Sequence, residues 1–504
     1  MSVRSSGVLM PIFSLPSPYG VGTLGRQARE FADFLARSGQ SHWQILPIGP
    51  TGYGDSPYQS FSSRAGNPYL IDLDELEQQG LLEREEYASL PWGDDPERVD
   101  YQALYRLRLP VLRRACDRLL SRPPAAFDRF CLLHQAWLDD YALFMALKEK
   151  YGGAPWLEWP EDIRLRRPRA MARAKKELED DIRFWQGVQY LFFGQWQEFK
   201  SYVNGKGISI VGDLPIYVAG DSADVWAAPD QFLLDGTGRP TLVAGVPPDD
   251  YSADGQLWGN PLFRWDRMKQ DGYAWWLDRV AFQFEIYDVL RLDHFRGFES
   301  YYAIPYGEKT ARNGQWLPGP GMDFFRALRR SLGPRPIIAE DLGFLTPEVY
   351  QLLADTGFPG MKVLEFGFGD PGEDSEYLPH NYPVHSVAYP GTHDNDTILG
   401  WLDSLTPEQA KFARHYLRLS RREGLHWGVL RSLWASPAQL TVVQMQDLLG
   451  LDRHARMNTP STLGGNWQWR ALPEAMSAGL ARRLYREAAA YQRLPRGGTA
   501  KNEE

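Results

Sequence analysis

The chain has 504 residues, of which 43% are hydrophobic, 24% charged and 13% aromatic, and its formal charge is −9. This composition excludes a disordered chain, the charge excludes a basic nucleic-acid surface, and the lack of any run near 18 apolar residues excludes an ordinary membrane-spanning helix. With Cys116 and Cys131 as the sole cysteines and an N-terminal apolar run broken by Pro11, the expectation is a protein without disulfides, without a secretory signal, and at home in a reducing cytoplasm.

A first strand is expected at 7–10, followed by a helix whose apolar stripe is Leu24, Ala28, Phe31 and Leu35, with Thr23 as N-cap and Gly39 as stop. The run Gly20-Val21-Gly22-Thr23-Leu24-Gly25 spells GxGxxG, but SLPSPY and not a strand precedes it, and no acid ends the next strand. It therefore reads as a shaped loop and not as a dinucleotide site. A second strand is expected at 43–48. Residues 76–200 are rich in Leu, Arg and Glu, with Leu133, Trp137, Tyr141 and Phe144 at helical spacing, and read as a helical insertion. The basic stretch 164–181 is followed at once by acids, as on a solvated helix face.

Further strands are expected at 208–212, 289–293, 336–340, 361–366, 386–389 and 440–445. Continuous runs such as ISIVGD and PIIAED suit parallel strands buried on both faces. Glu340 to Phe366 and Phe366 to Asp394 span 26 and 28 residues, the length of one βα unit. Eight such runs predict a (β/α)8 TIM barrel, with residues 1–75 as its first part, 76–200 inserted, 201–495 completing it and 496–504 a disordered tail. The stretch 213–289, rich in Gly, Pro, Asp and Trp, reads as loops over the barrel mouth.

Four of the expected strands finish in or just before a carboxylate: Asp213, Asp293, Glu340 and Asp394. Strand ends in a barrel converge on one mouth, so four acids there mark an active site more strongly than a single helix-capping Asp would. The nine histidines include no HxH or HExxH pair, and no metal site is expected. Two unlike carboxyls suit retaining cleavage of a glycosidic bond, in which one attacks the anomeric carbon and the other protonates the leaving oxygen. Arg291 lies two residues before Asp293, on the same strand face, where its charge should lower the Asp293 pKa. Glu340 follows an apolar run that should raise its own to about 6, while Asp341 points the other way. Asp293 is then the nucleophile and Glu340 the acid/base, with Asp394, His294 and His393 holding sugar hydroxyls. Eighteen Trp, 25 Tyr and 24 Phe add aromatic faces suited to sugars, most of them also able to serve as core.

RLDHFRGF (291–298), IIAEDLG (337–343) and GTHDNDT (391–397) resemble the conserved regions of the α-amylase clan, in which the same three acids are nucleophile, acid/base and transition-state stabiliser. GDLPIYV (212–218) lacks the Asn-His pair of many α-amylases. Together with PTGYGDSPYQSFSSRAGNPYLIDL (50–73), GNPLF (259–263), GMKVLEF (360–366) and RMNTP…GNWQWR (456–470), it resembles the 4-α-glucanotransferases of glycoside hydrolase family 77, the amylomaltase or disproportionating enzymes.

The resemblance runs from about residue 7 to 470. It implies transfer of α-1,4-glucan segments to the 4-hydroxyl of a glucan or glucose through a covalent glycosyl-enzyme, by a monomer needing neither cofactor nor metal. By the same resemblance Tyr58, Asp213, Trp258, Arg291, His294, His393 and Asn466 line the donor subsites, and Tyr53 and Tyr101 form an outer glucan site. The segment 246–256, with Asp249 and Tyr251, is implied to be a mobile loop covering the cleft. An α-1,4-glucan hydrolase and a non-catalytic glucan-binding protein are the other readings, and products from maltotriose separate all three.

Overall fold

Short strands whose every second residue points inward build the centre of the molecule. In the computed structural model, which describes residues 4–52, 54–248, 252–370 and 374–495, these are β1 (Ser5–Leu9), β2 (His42–Gln44), β3 (Ser209–Leu214), β4 (Val289–Leu292), β5 (Ile337–Ala339), β6 (Gly360–Val363), β7 (Ser386–Tyr389) and β8 (Leu440–Gln444). Each pairs in parallel with its neighbours and β8 closes on β1, giving a (β/α)8 barrel. Every expected run forms a strand. The second and sixth end early, because the ladder stops at Gln44 and because Leu364–Phe368 coils into a 3-10 turn. Leu9, Val211, Ile338, Met361, Val387, Tyr389, Leu440 and Val442 form one buried cluster inside the barrel.

The first helix, Arg26–Arg37, buries Ala28, Phe31 and Leu35, but Gly25 occupies its N-cap. The Thr23 hydroxyl is drawn away, donating at 2.6 Å to Asp72, so the expected cap is corrected. The stop holds: Gly39 N–H bonds Ala36 O and Gln40 N–H bonds Leu35 O, which is a Schellman ending. The GxGxxG run is a packed loop, where a Cβ on Gly22 would lie 2.0 Å from the Ile12 carbonyl oxygen.

Between β2 and β3 lie the long helices Tyr101–Ser121, Ala125–Lys150 and Glu179–Gly205, with shorter ones at Leu73–Gln78 and Pro168–Glu177. Ala125–Lys150 packs along Glu179–Gly205. Of the stripe expected there, Tyr141 and Phe144 are buried, whereas Leu133 is 78% exposed, because the packed face of the first turns runs through Phe127, Phe130 and His134 instead, against Tyr190 and Phe193.

Two departures concern connections. Residues 213–289 are not loops alone: Leu242–Val246 and Gln256–Pro261 pair antiparallel and join Ser300–Pro305 and Gln315–Pro318 in a four-stranded sheet. Gln256–Pro261 leaves several positions open to solvent, so it lacks the apolar run by which a buried strand is read. Between β6 and β7, the described residues hold only 3-10 turns at Leu364–Phe368 and Pro379–Asn381, where Pro379 and Pro383 disfavour a helix. Among the described residues no helix is long and apolar enough to cross a membrane.

Candidate active site

Strand alternation places the acids. Val211 faces the barrel interior and Asp213 follows it by two; Val289, Arg291 and Asp293 do the same on β4, and Ile338 and Glu340 on β5. Asp213 pairs in register with Arg291, Arg291 with Ile338 and Leu292 with Ala339. Asp293 and Glu340 therefore stand opposite each other on the next rung of adjacent strands, which run about 4.8 Å apart. The ladder continues through them: Asp293 N–H donates to Leu214 O at 3.1 Å, Glu340 N–H to Leu292 O at 3.0 Å and Phe295 N–H to Glu340 O at 3.0 Å.

Arg291 is the hub. Its Nη1 donates to both oxygens of Asp213 at 2.8 Å and to Asp293 Oδ1 at 3.0 Å, while its Nε meets Met361 Sδ at 3.3 Å. Burial would strip its charge, but Asp213 and Asp293 hold it protonated. The Asp213 side chain has 0% exposure against 28% for Asp293, and Tyr58 Oη also donates to Asp213 Oδ2 at 2.7 Å. Asp213, expected to meet the sugar, is thus enclosed and holds Arg291 and Tyr58 in place. Asp293 is the acid that remains open to the cleft.

Glu340 is fixed by two backbone donors, His294 N–H to Oε2 at 2.6 Å and Leu342 N–H to Oε1 at 3.0 Å. The first requires His294 in the left-handed region, φ +51°. Burial raises Glu340 to about 8, with the Asp293 charge adding to it and Arg291 opposing, higher than the value near 6 expected from sequence. Burial also raises Asp293, against the pull of Arg291 that should have lowered it. The sequence expectation had the sign of the arginine right and omitted the larger desolvation. Because Asp293 alone bonds the guanidinium, it is the member of the pair that ionises first, leaving the proton on Glu340. Asp341 does point away, its Oδ1 accepting Met361 N–H at 2.5 Å.

Asp394 lies beyond β7 on the loop 390–398. Asn458 Nδ2 donates to its Oδ1 at 2.6 Å and Arg456 Nη2 to its carbonyl at 2.6 Å; His393 Nε2 is 3.5 Å from Oδ2. Burial keeps His393 and His294 neutral, His294 near 3. The ring of Tyr58 stacks on His393 at 5.1 Å and Trp467 borders both. On the other side Trp258 meets His294 edge to face at 4.9 Å, with Tyr217 beside them. These rings give a neutral sugar two apolar walls.

Three expected residues, Tyr53, Asp249 and Tyr251, lie outside the described residues. The flanks of 246–256 form a hairpin connection, with Val246 paired to Gln256. Tyr101 does not present a ring to solvent. It is 8% exposed and donates to Trp467 O at 2.7 Å, while Tyr105, one turn on, is 45% exposed beside Asp55. The Asn466 amide is engaged within its own loop, with Thr459 N–H and with Thr462. Sequence reasoning missed the contacts of Asn458, Arg456 and Tyr217, though all three sit inside the motifs RMNTP and GDLPIYV. Among the described residues no cluster of His, Cys, Asp and Glu could hold a metal ion.

A family model described as 4-alpha-glucanotransferase, of glycoside hydrolase family 77, matches residues 10–474. The chain belongs to that family. It is similar to the 4-alpha-glucanotransferase of Clostridium butyricum, 48% identical over 96% of this chain and 100% of the relative, and to that of Thermus thermophilus, 47% identical over 97% and 99%. Among solved structures, an amylomaltase from Streptococcus agalactiae in complex with acarbose superposes with a TM-score of 0.96, at 45% identity and covering 98% of this chain and 100% of that one.

Proposed function

We propose that the protein is a 4-α-glucanotransferase that moves α-1,4-glucan segments by double displacement. The observation that carries this reading is the pair of acids on adjacent strand ends, Asp293 tied to Arg291 and Glu340 held, half-buried, by two backbone donors. In the first step a carboxylate oxygen of Asp293 forms a bond to the anomeric carbon while the glycosidic C–O bond breaks, its electrons leaving with an oxygen that takes the Glu340 proton. In the second, Glu340 takes the proton of the acceptor 4-hydroxyl, whose oxygen displaces Asp293. Two inversions retain the configuration.

Asp394 serves the oxocarbenium-like state between them, and Arg291 keeps the nucleophile ionised and aimed. Tyr58, Trp258, His294, His393 and Asn466 line the sugar path. The acceptor is glucose or an oligosaccharide, and the enzyme acts as a monomer without cofactor in the cytoplasm, with 76–200 as a helical subdomain beside the barrel. Transfer must outcompete water at the second step, and aromatic rings such as Tyr58 and Trp258 favour a sugar over water in the acceptor position.

Incubation with maltotriose tests the reading. Glucose with a ladder of longer oligomers is expected, shorter sugars alone would make the enzyme a hydrolase, and unchanged maltotriose would leave only binding.

A further inference from the structure

The loop that carries Asp394 rests on two buried acids that the reaction above does not use. Glu365, on the turn after β6, donates its backbone N–H to Pro390 O at 3.1 Å. Its side chain presses against the start of the loop: a Cβ on Gly391 would lie 3.0 Å from Glu365 Oε1 and 2.9 Å from Asn395 Cβ. Asn395 lies beside the Glu365 carboxyl, and its Oδ1 accepts Thr392 N–H and Thr392 Oγ1 at 2.9 Å each. Thr392 Oγ1 in turn accepts Asp394 N–H at 3.3 Å. Asp447, on the helix Met445–Leu449 after β8, holds the far end, its Oδ1 accepting Ile398 N–H at 2.7 Å.

Both acids are nine-tenths or more buried, and Glu365 Oε1 and Asp447 Oδ2 have no hydrogen-bond partner. The charged groups facing Glu365 are Asp447, Asp396 and Arg456, and those facing Asp447 are Glu365 and Asp396. Two carboxylates beside a third, with one guanidinium already spent on the Asn458 and Asp394 carbonyls, is an arrangement that favours protonated acids over charged ones.

We propose that Glu365 and Asp447 are positioning residues for the transfer reaction, clamping the two ends of the loop 390–398 from beneath so that Asp394 meets the developing positive charge. The clamp acts on the transition state and not on sugar affinity, because its links run to backbone and to Asn395. Glu365 works in the neutral form, so an amide of the same shape replaces it and a truncated side chain does not. The inference rests on the role given to Asp394.

The test is kcat and KM for maltotriose disproportionation in Glu365→Ala, Glu365→Gln, Asn395→Ala and Asp394→Asn, each with a melting curve. Glu365→Ala is expected to lower kcat by about 10- to 100-fold with KM within about threefold, the cost of misplacing a reacting group by an ångström. Glu365→Gln should return kcat to within about threefold of the parent, and Asn395→Ala, which cuts the link at the loop itself, should repeat the kcat-only loss. If Glu365→Ala does not fold, the other two variants decide. Parental kcat in both Glu365→Ala and Asn395→Ala, a Gln variant as slow as the Ala one, or KM rising in step with the fall in kcat overturns the proposal. An Asp394→Asn enzyme with full turnover overturns the reading of Asp394 and the clamp with it. An inactive Asp394→Asn beside unimpaired Glu365→Ala and Asn395→Ala overturns the clamp alone.

Discussion

At the scale of single residues, the proposed site gives two neighbouring carboxyls different partners. Asp293 faces a guanidinium, and Glu340 faces backbone N–H groups and an apolar surround. The pair titrates as a unit, so a bell-shaped profile of kcat/KM is expected. Activity rises as the pair loses its first proton from Asp293 and falls near pH 8 as Glu340 loses the second. Glu340→Gln should lower turnover by about 10²- to 10⁴-fold and remove the alkaline limb, and Asp293→Asn should abolish the glycosyl-enzyme trapped by rapid quenching. An alkaline limb that persists unchanged in Glu340→Gln would assign it to another group.

That these acids meet at one mouth was legible from sequence, because a buried parallel strand advertises its end and strand ends of a closed barrel converge. What was not legible is what each acid touches. Asn458 reaches Asp394 across 64 positions of sequence, and Asp213 spends both oxygens on Arg291 and Tyr58. Those are properties of the closed barrel and of no local pattern. The same holds for Tyr101, whose hydroxyl donates to Trp467 O across 366 positions of sequence.

At the scale of elements, the barrel strands could be read because burial on both faces makes them continuous apolar runs. The small antiparallel sheet could not, since neither Gln256–Pro261 nor Gln315–Pro318 is a continuous buried run and both end in Pro. Nor could the cap of the first helix, where Thr23 had a better partner in Asp72. The seam between β5 and β6 gives a sharp check on this level of description. Asp341 fits there because Gly360 has no side chain, and a Cβ would stand 2.5 Å from Asp341 Oδ2. Gly360→Ala should therefore cost roughly 1–3 kcal/mol in urea unfolding, whereas Gly194→Ala, exposed within the helix Glu179–Gly205 and with no atom within 4 Å of the new Cβ, should cost nothing.

For the molecule as a whole, buried acids make stability depend on pH in an unusual sense. Burial raises Asp447 to about 7, so between its unfolded value, roughly 3.9, and pH 7 the native state binds more protons than the unfolded one. Stability from this group consequently falls as pH rises through that window and is constant below it. Asp447→Asn keeps an oxygen for Ile398 N–H and cannot ionise. It should melt a few degrees above the parent at pH 8 and lose that advantage by pH 4. An advantage equal at both pH values would show that packing and not ionisation is responsible.

Asp293 and Glu340, the proposed nucleophile and acid, are spaced by the barrel ladder itself, through Leu214, Leu292 and Phe295, so their spacing has no soft joint of its own. Heat should then find this enzyme working until the barrel comes apart: the temperature at which turnover collapses and the temperature at which ellipticity is lost should coincide, and an early loss of turnover would trace instead to the loop carrying Asp394.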